Sequence, residues 1–230
     1  MKNTLLIFAA AILIAGVVCA QETSTDKVVP GSDELVQKKG AFAGTWIRPD
    51  ADITRYTKLY LWESVFQFRE GGEKSTGTTI GMSRGDTGPY AVTEDSKEKF
   101  KEVVVEAVVK ELARSKIFEM VGEVGPGTLI VRAAVLDIVS WVPPNASRTG
   151  NIHLAAVGEA TFVFELIDAE TGVIQARVAE RRTIQPPGRL NTINAAPTNA
   201  ASVWNDVERW AREEAQTLRK ALEKAKKKAT

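Results

Sequence analysis

The sequence predicts an α+β fold: one mixed or antiparallel sheet with two amphipathic helices packed on one face. Three observations lead there. Residues 159–182 (EATFVFELIDAETGVIQARVAERR) alternate large apolar and other residues on both sides of a turn, the period-two signature of a β-hairpin. Thr128 to Trp141 (TLIVRAAVLDIVSW) is an almost unbroken apolar run, as expected of a central strand covered on both faces. Two stretches, Thr93 to Lys116 and the chain after Asn199, carry apolar residues at helical spacing. The expected element order is β-α-β-β-β-β-α.

The chain starts with a targeting pattern. Lys2 supplies a positive n-region, and Leu5 to Val18 is apolar but short for a membrane span. Val18-Cys19-Ala20 fits a small-residue cleavage site, with the cut between Ala20 and Gln21. The rival reading makes Cys19 a lipidated residue, and Val18 is an unusual neighbour for one. After cleavage at Ala20 no cysteine remains, which removes disulfides and thiolate chemistry. Residues 1–20 are thus read as a signal peptide, 21–40 as a polar linker or arm, and 41–230 as a single α+β domain. The expected location is the periplasm, or the outer membrane if Cys19 is lipidated.

Formal net charge is +1 with 26% charged residues, a balance that argues against a nucleic-acid surface. Residues 56–69 (YTKLYLWESVFQFR) are rich in aromatic and β-branched residues and read as the first strong strand. Residues 70–90 form a long Gly-rich loop. Gly71-Gly72-Glu73-Lys74-Ser75-Thr76 within it fails the spacing of a phosphate-binding loop, and Arg84-Gly85-Asp86 is read as an ordinary turn.

Thr93 is placed to cap the first helix, with Glu94 and Asp95 suiting its dipole. Phe100, Val104, Ala107, Val108 and Leu112 form its stripe, and Val103, Val105 and Val109 suggest cover on more than one side. Ile117 to Val121 is a short strand candidate. Asp137 interrupts the central run and is read as a strand-end residue. In the hairpin, Asp168 and Gly172 are the structural turn residues, one accepting a local bond and the other taking φ > 0. Counting outward from the turn sets Phe162 opposite Val178, Phe164 opposite Ala176 and Leu166 opposite Ile174, with Glu159 near Arg181. Asn199 or Ser202 caps the last helix, whose stripe runs through Val203, Val207, Trp210, Ala211, Ala215, Leu218 and Leu222. Lys224 to Lys228 is expected to fray.

The ordered set Tyr56-Thr57-Lys58, LIVRAAVLDI at 129–138, Ile167 to Gly172 at the turn, and Ser202-Val203-Trp204 with Trp210-Ala211 resembles domain-of-unknown-function family 3313 (DUF3313). The resemblance covers roughly Thr45 to Leu222. It implies a secreted bacterial envelope protein, with lipoprotein members from which Val18 departs, and it carries no catalytic residues. The element order is more distantly similar to small envelope lipoprotein domains that act as assembly factors or as activators of wall synthases.

Chemistry is sparsely supplied. His153 is the only histidine and has no partners at metal-ligand spacing, and no G-x-S-x-G elbow is present. No catalytic, cofactor or metal residues are assigned. The reading is a non-enzymatic envelope protein, an assembly or interaction module. Its partner is another envelope protein or a second copy, and Trp46, Trp204 and Trp210 are possible interface residues. The alternative is a small-molecule-binding domain using the Gly-rich loop 70–92, and a hydrolase ranks behind both.

Overall fold

The computed structural model describes residues 34–70, 89–143, 152–185 and 196–229. Among them the elements run β1 (Val36–Gln37), β2 (Gly44–Ile47), β3 (Lys58–Leu61), β4 (Val65–Phe68), α1 (Glu94–Leu112), β5 (Glu119–Met120), β6 (Thr128–Ser140), β7 (Ile152–Leu154), β8 (Gly158–Asp168), β9 (Ile174–Ile184), β10 (Ala196–Thr198) and α2 (Ala200–Ala229). Eight strands make one sheet in the order β1-β2-β9-β8-β6-β3-β5, with β4 also on β6. β1, β2, β9, β8 and β6 pair antiparallel, whereas β3 and β4 run parallel to β6 and β5 parallel to β3. The sheet is therefore mixed. β7 and β10 form a separate two-stranded ladder.

Both helices lie on one face. Alternation sends Leu129, Val131, Ala133 and Val135 of β6, and Ala160, Phe162, Phe164 and Leu166 of β8, toward them. Phe100, Val104, Val108 and Leu112 of α1 and Trp210, Ala211, Ala215 and Leu218 of α2 close over that surface. Thr93 Oγ1 accepts the Ser96 N–H, and Asn199 Oδ1 accepts the Ser202 N–H, so each helix starts on a side-chain cap. The helices are tied together by Glu111, buried on α1, which accepts from Arg219 of α2 at 2.9 Å and from Arg114 at 2.7 Å.

Several details differ from the sequence reading. The stretch 56–69 is not one strand. β3 and β4 lie end to end along β6, and Trp62, Glu63 and Ser64 stand between them opposite only Arg132 and Ala133. The hairpin register is displaced by two: Phe164 faces Val178, Leu166 faces Ala176 and Phe162 faces Glu180. The turn pairs Ile167 with Ile174, one residue later than counting sets it, and an irregularity between Leu166 and Ile167 adds a second by leaving Gln175 as an extra residue on β9. The displacement keeps Ala176 and Val178 on the helix side, whereas Ile174, beyond the irregularity, falls on the other face beside Ile167. The Glu159–Arg181 pair forms at 2.5 Å, reaching diagonally, because Arg181 stands opposite Thr161.

α1 is covered on one side only, with Val109 exposed. α2 stays helical through Lys224–Lys228 instead of fraying. The polar arm contributes an edge strand, β1, at its end.

Candidate interaction face

Among the described residues, the second face of the sheet carries no helix. Cross-strand pairing arranges its side chains in rows, because directly opposed residues share a face. One row is Tyr60, Ile130, Ile167 and Ile174, which Leu35 packs against. The next is Arg132, Glu165, Arg177 and Trp46. A third, of small residues, runs Val65, Ala134, Val163, Ala179 and Gly44 across five strands. A fourth holds Leu136, Thr161 and Arg181. Among the described residues the cover on this face is local: Leu35 and Ala169 pack on the first row, and Trp46 lies over Gly44. The cover on both faces expected from the apolar run 128–141 is thus present on one face and local on the other.

Charge on this face is paired. Glu165 accepts from Arg132 Nε at 2.6 Å and from Arg177 Nε at 2.8 Å. Asp137 sits at a bulge of β6 with φ of 52°, the left-handed region that Asp tolerates better than most residues. Its carboxylate receives Nε and Nη2 of Arg69 at 2.6 and 2.5 Å and Nη1 of Arg181 at 2.8 Å. The Arg69 hydrogen bonds, followed by those of Arg181, hold its pKa below the usual carboxylate range. Trp46 folds back along its own strand: a Cβ at Gly44 would lie 2.4 Å from the indole ring, so glycine there gives the tryptophan its seat.

The hairpin turn is anchored at the far end of the sheet. Gly172 has φ of 70° and donates its N–H to the Asp168 carbonyl at 2.8 Å. Asp168 Oδ1 accepts the Glu170 N–H at 2.8 Å, while Oδ2 accepts the Tyr56 hydroxyl at 2.9 Å and pairs with Arg55. Burial alone would raise the carboxyl's pKa, but the backbone N–H of Glu170 and the Tyr56 hydroxyl outweigh it and the net direction is down. Burial and the same bond to Asp168 push the Tyr56 phenol up.

The other residues singled out in the sequence are scattered. Trp210 is buried against Phe162, with ring centroids 5.2 Å apart. Trp204 is half-buried, has Lys99 over its ring at 5.1 Å, and lines an apolar cleft of about 300 Å³ with Phe68, Phe100, Ile138 and Val207. Trp46, Trp204 and Trp210 therefore do not share one surface. His153 lies in β7 opposite Pro197. Cys19, Ala20, Gln21 and the loop motifs within 71–88 fall outside the described residues. Among the described residues, no three His, Cys, Asp or Glu are grouped to hold a metal. No helix among them is long and apolar enough to cross a membrane.

Two buried carboxylates had no signal in the sequence. Glu111 is paired as described above. Glu214 on α2 is fully buried, and neither oxygen has a hydrogen-bond partner among the described residues. Arg182 Nη1 of β9 stands 3.1 Å from Oε1, off the line of a hydrogen bond. Burial raises the Glu214 pKa to about 7, against the opposing pull of Arg182.

The family model of DUF3313, proteins of unknown function, matches residues 29–214. The chain belongs to this family. No curated protein matches this DUF3313 chain. Among solved structures it is similar to the PelC dodecamer from Paraburkholderia phytofirmans, at 11% identity, covering 80% of this chain and 96% of that one, TM-score 0.34. It is similar to protein XCC0632 from Xanthomonas campestris at 8% identity, 85% and 97% coverage, TM-score 0.40. The hypothetical protein CT253 from Chlamydia trachomatis is similar at 8% identity, 73% and 98% coverage, TM-score 0.39.

Proposed function

We propose that this protein is a non-catalytic interaction module of the bacterial cell envelope, and that the helix-free face of its sheet receives a second copy of the chain. The observation that carries the reading is the row Val65, Ala134, Val163, Ala179 and Gly44, which leaves a shallow apolar strip between two rows of larger side chains. Trp62 and Val65 are about half exposed at its edge, at 49% and 52%. Paired arginines flank the strip, so a partner need not strip water from an uncompensated charge. Trp46 belongs to this contact surface; Trp204 and Trp210 do not.

Secretion by the segment 1–20, with cleavage between Ala20 and Gln21, puts the module in the periplasm. The arm 21–40 then leads into one domain. Intact-mass measurement of envelope fractions tests this: a chain starting at Gln21 is expected, and a lipid-modified Cys19 would make it an anchored lipoprotein.

Sedimentation of the purified chain tests the face. Self-association is expected, lost in Val65→Glu and in Ala134→Glu while the circular dichroism spectrum is kept. A parent that stays monomeric at every concentration, or variants that associate like the parent, overturns it.

The cleft of about 300 Å³ beside Trp204 favours a second reading, a small-molecule site. A thermal-shift screen in which one compound class raises the midpoint, and Trp204→Ala abolishes the rise, would support it.

A further inference from the structure

A second apolar groove lies at the opposite end of the molecule from the helix starts. It has a volume of about 490 Å³, within the range of small-ligand clefts. Its floor is Phe42, Tyr56 and Leu166, and α2 forms one wall. On that wall Leu218, Ala221, Leu222, Ala225 and Lys228 follow one helical face, spanning a rise of about 15 Å. Ala221 and Ala225, whose side chains stop at Cβ, line it together with Ile53. Lys228 closes the apolar stripe at its far end.

Positive charge predominates at that end among the described residues. Lys224, Lys227 and Lys228 are exposed and make no ion pair among the described residues, as do Lys38 and Lys39 just before the lining residue Gly40. Of the nearby carboxylates, Glu223 accepts from Arg219 and Ser115, and Asp50 shares Arg48 with Glu34. Asp52 is the one carboxylate in the lining, and it caps the turn at Thr54. The α2 C-terminus adds a partial negative charge of about half a unit, which the lysines outweigh.

We propose that this groove binds a soluble, single-chain anionic amphiphile, with its hydrocarbon tail along Ala221 and Ala225 and its anionic head at Lys228. The two halves of the site fit the two halves of that ligand. A neutral apolar ligand would leave the lysines without a role. A bilayer would need a flat or convex apolar surface, and this one is concave. Of the described part of the arm, Gly40 lines the wall and Leu35 packs on the opposite face of the sheet.

Calorimetric titration of the purified chain with dodecanoate below its micellar concentration tests the assignment. Saturable one-to-one binding is expected. Ala225→Phe, at an exposed position that leaves the core untouched, should weaken it at least tenfold by filling the groove. Lys228→Glu should weaken dodecanoate several-fold and leave dodecanol binding unchanged. Lack of saturable binding overturns the proposal, as does binding that Ala225→Phe leaves intact. Co-sedimentation with phosphatidylglycerol vesicles in the absence of any response to monomeric dodecanoate would assign the lysines to a membrane surface instead, and so would also overturn it. Deletion of residues 21–33 separates the last occupant: a gain in dodecanoate affinity on deletion would identify the arm as the native filler and overturn the amphiphile assignment.

Discussion

The two faces of this sheet are built from the same strands and follow opposite rules. On the helix side, β6 and β8 present Leu129, Val131, Phe162 and Phe164, all essentially without exposure. On the other side the same strands present Arg132, Ala134, Thr161, Val163 and Glu165, mostly half-buried and linked by ion pairs. The first surface is fixed by close packing, where one missing ring is felt throughout the core. The second is fixed by register, because only the pairing of β9, β8, β6 and β4 brings its small residues into one row. Sequence variation should therefore be costly to stability on one face and costly to association on the other.

Trp210→Ala is the largest expected break in that contrast. The indole meets Phe162 and Phe100 between helix and sheet, and its loss should cost about 3–5 kcal/mol in a urea melt. Trp210→Phe should cost clearly less, because the indole N–H has no partner among the described residues to lose. Trp46→Ala, on the open face, should shift the midpoint far less. Equal losses for Trp210→Ala and Trp46→Ala would show that both faces are core.

Glu214 sharpens the same contrast, since it is a carboxylate in the packed layer with no hydrogen bond. Its folded-state pKa stands near 7 against an ordinary 4.5, so between those pH values the native state holds a proton that the unfolded state has released. Stability must then fall as pH rises through that window, and it is highest, as far as this group is concerned, below 4.5. At about 1.4 kcal/mol per pH unit, the full effect reaches at most about 3.5 kcal/mol. Glu214→Gln should flatten the slope between pH 5 and pH 7, roughly the window the two pKa values define. A parent whose midpoint rises across this range contradicts the buried, protonated carboxyl.

Next in size is Gly172→Val. Nothing lies within 4 Å of a Cβ added there, so the cost is conformational: about 1–2 kcal/mol for a β-branched residue at φ of 70°. Gly172→Asn should cost markedly less in the same denaturant series, because Asn tolerates that region.

How far the sequence could be read follows from the same physics. Period two and period 3.6 are local, so the α+β class, the hairpin strands, the cap at Thr93 and the stripe of α2 were all legible. Bulges are local in geometry but become visible only through a partner strand. The extra residue at Gln175 displaced the hairpin register by one and the turn by another, and the bulge at Asp137 showed itself only as an acid in an apolar run. Glu111 and Glu214 look like solvated helix residues until Arg219 and Arg182 are brought beside them. The rows of the open face were illegible for a plainer reason: each joins residues of several strands and exists only once every register is known.

Arg181→Ala is the smallest expected effect and the most specific test of the open face. Arg181 bridges Asp137 and Glu159 at 2.8 and 2.5 Å, but it is exposed. Surface ion pairs gain little because water and salt screen them while long side chains lose freedom. The denaturation midpoint should therefore move little, and any movement should vanish at high salt. Association should respond differently. If the small-residue row is the contact strip, removing Arg181 leaves Glu159 without the arginine that neutralises it at the edge of that strip. Self-association should weaken, and added salt should restore it in part. A variant that associates like the parent at every ionic strength would place Arg181 outside the contact, whereas a large loss of stability would mean that this face is held together by its ion pairs after all.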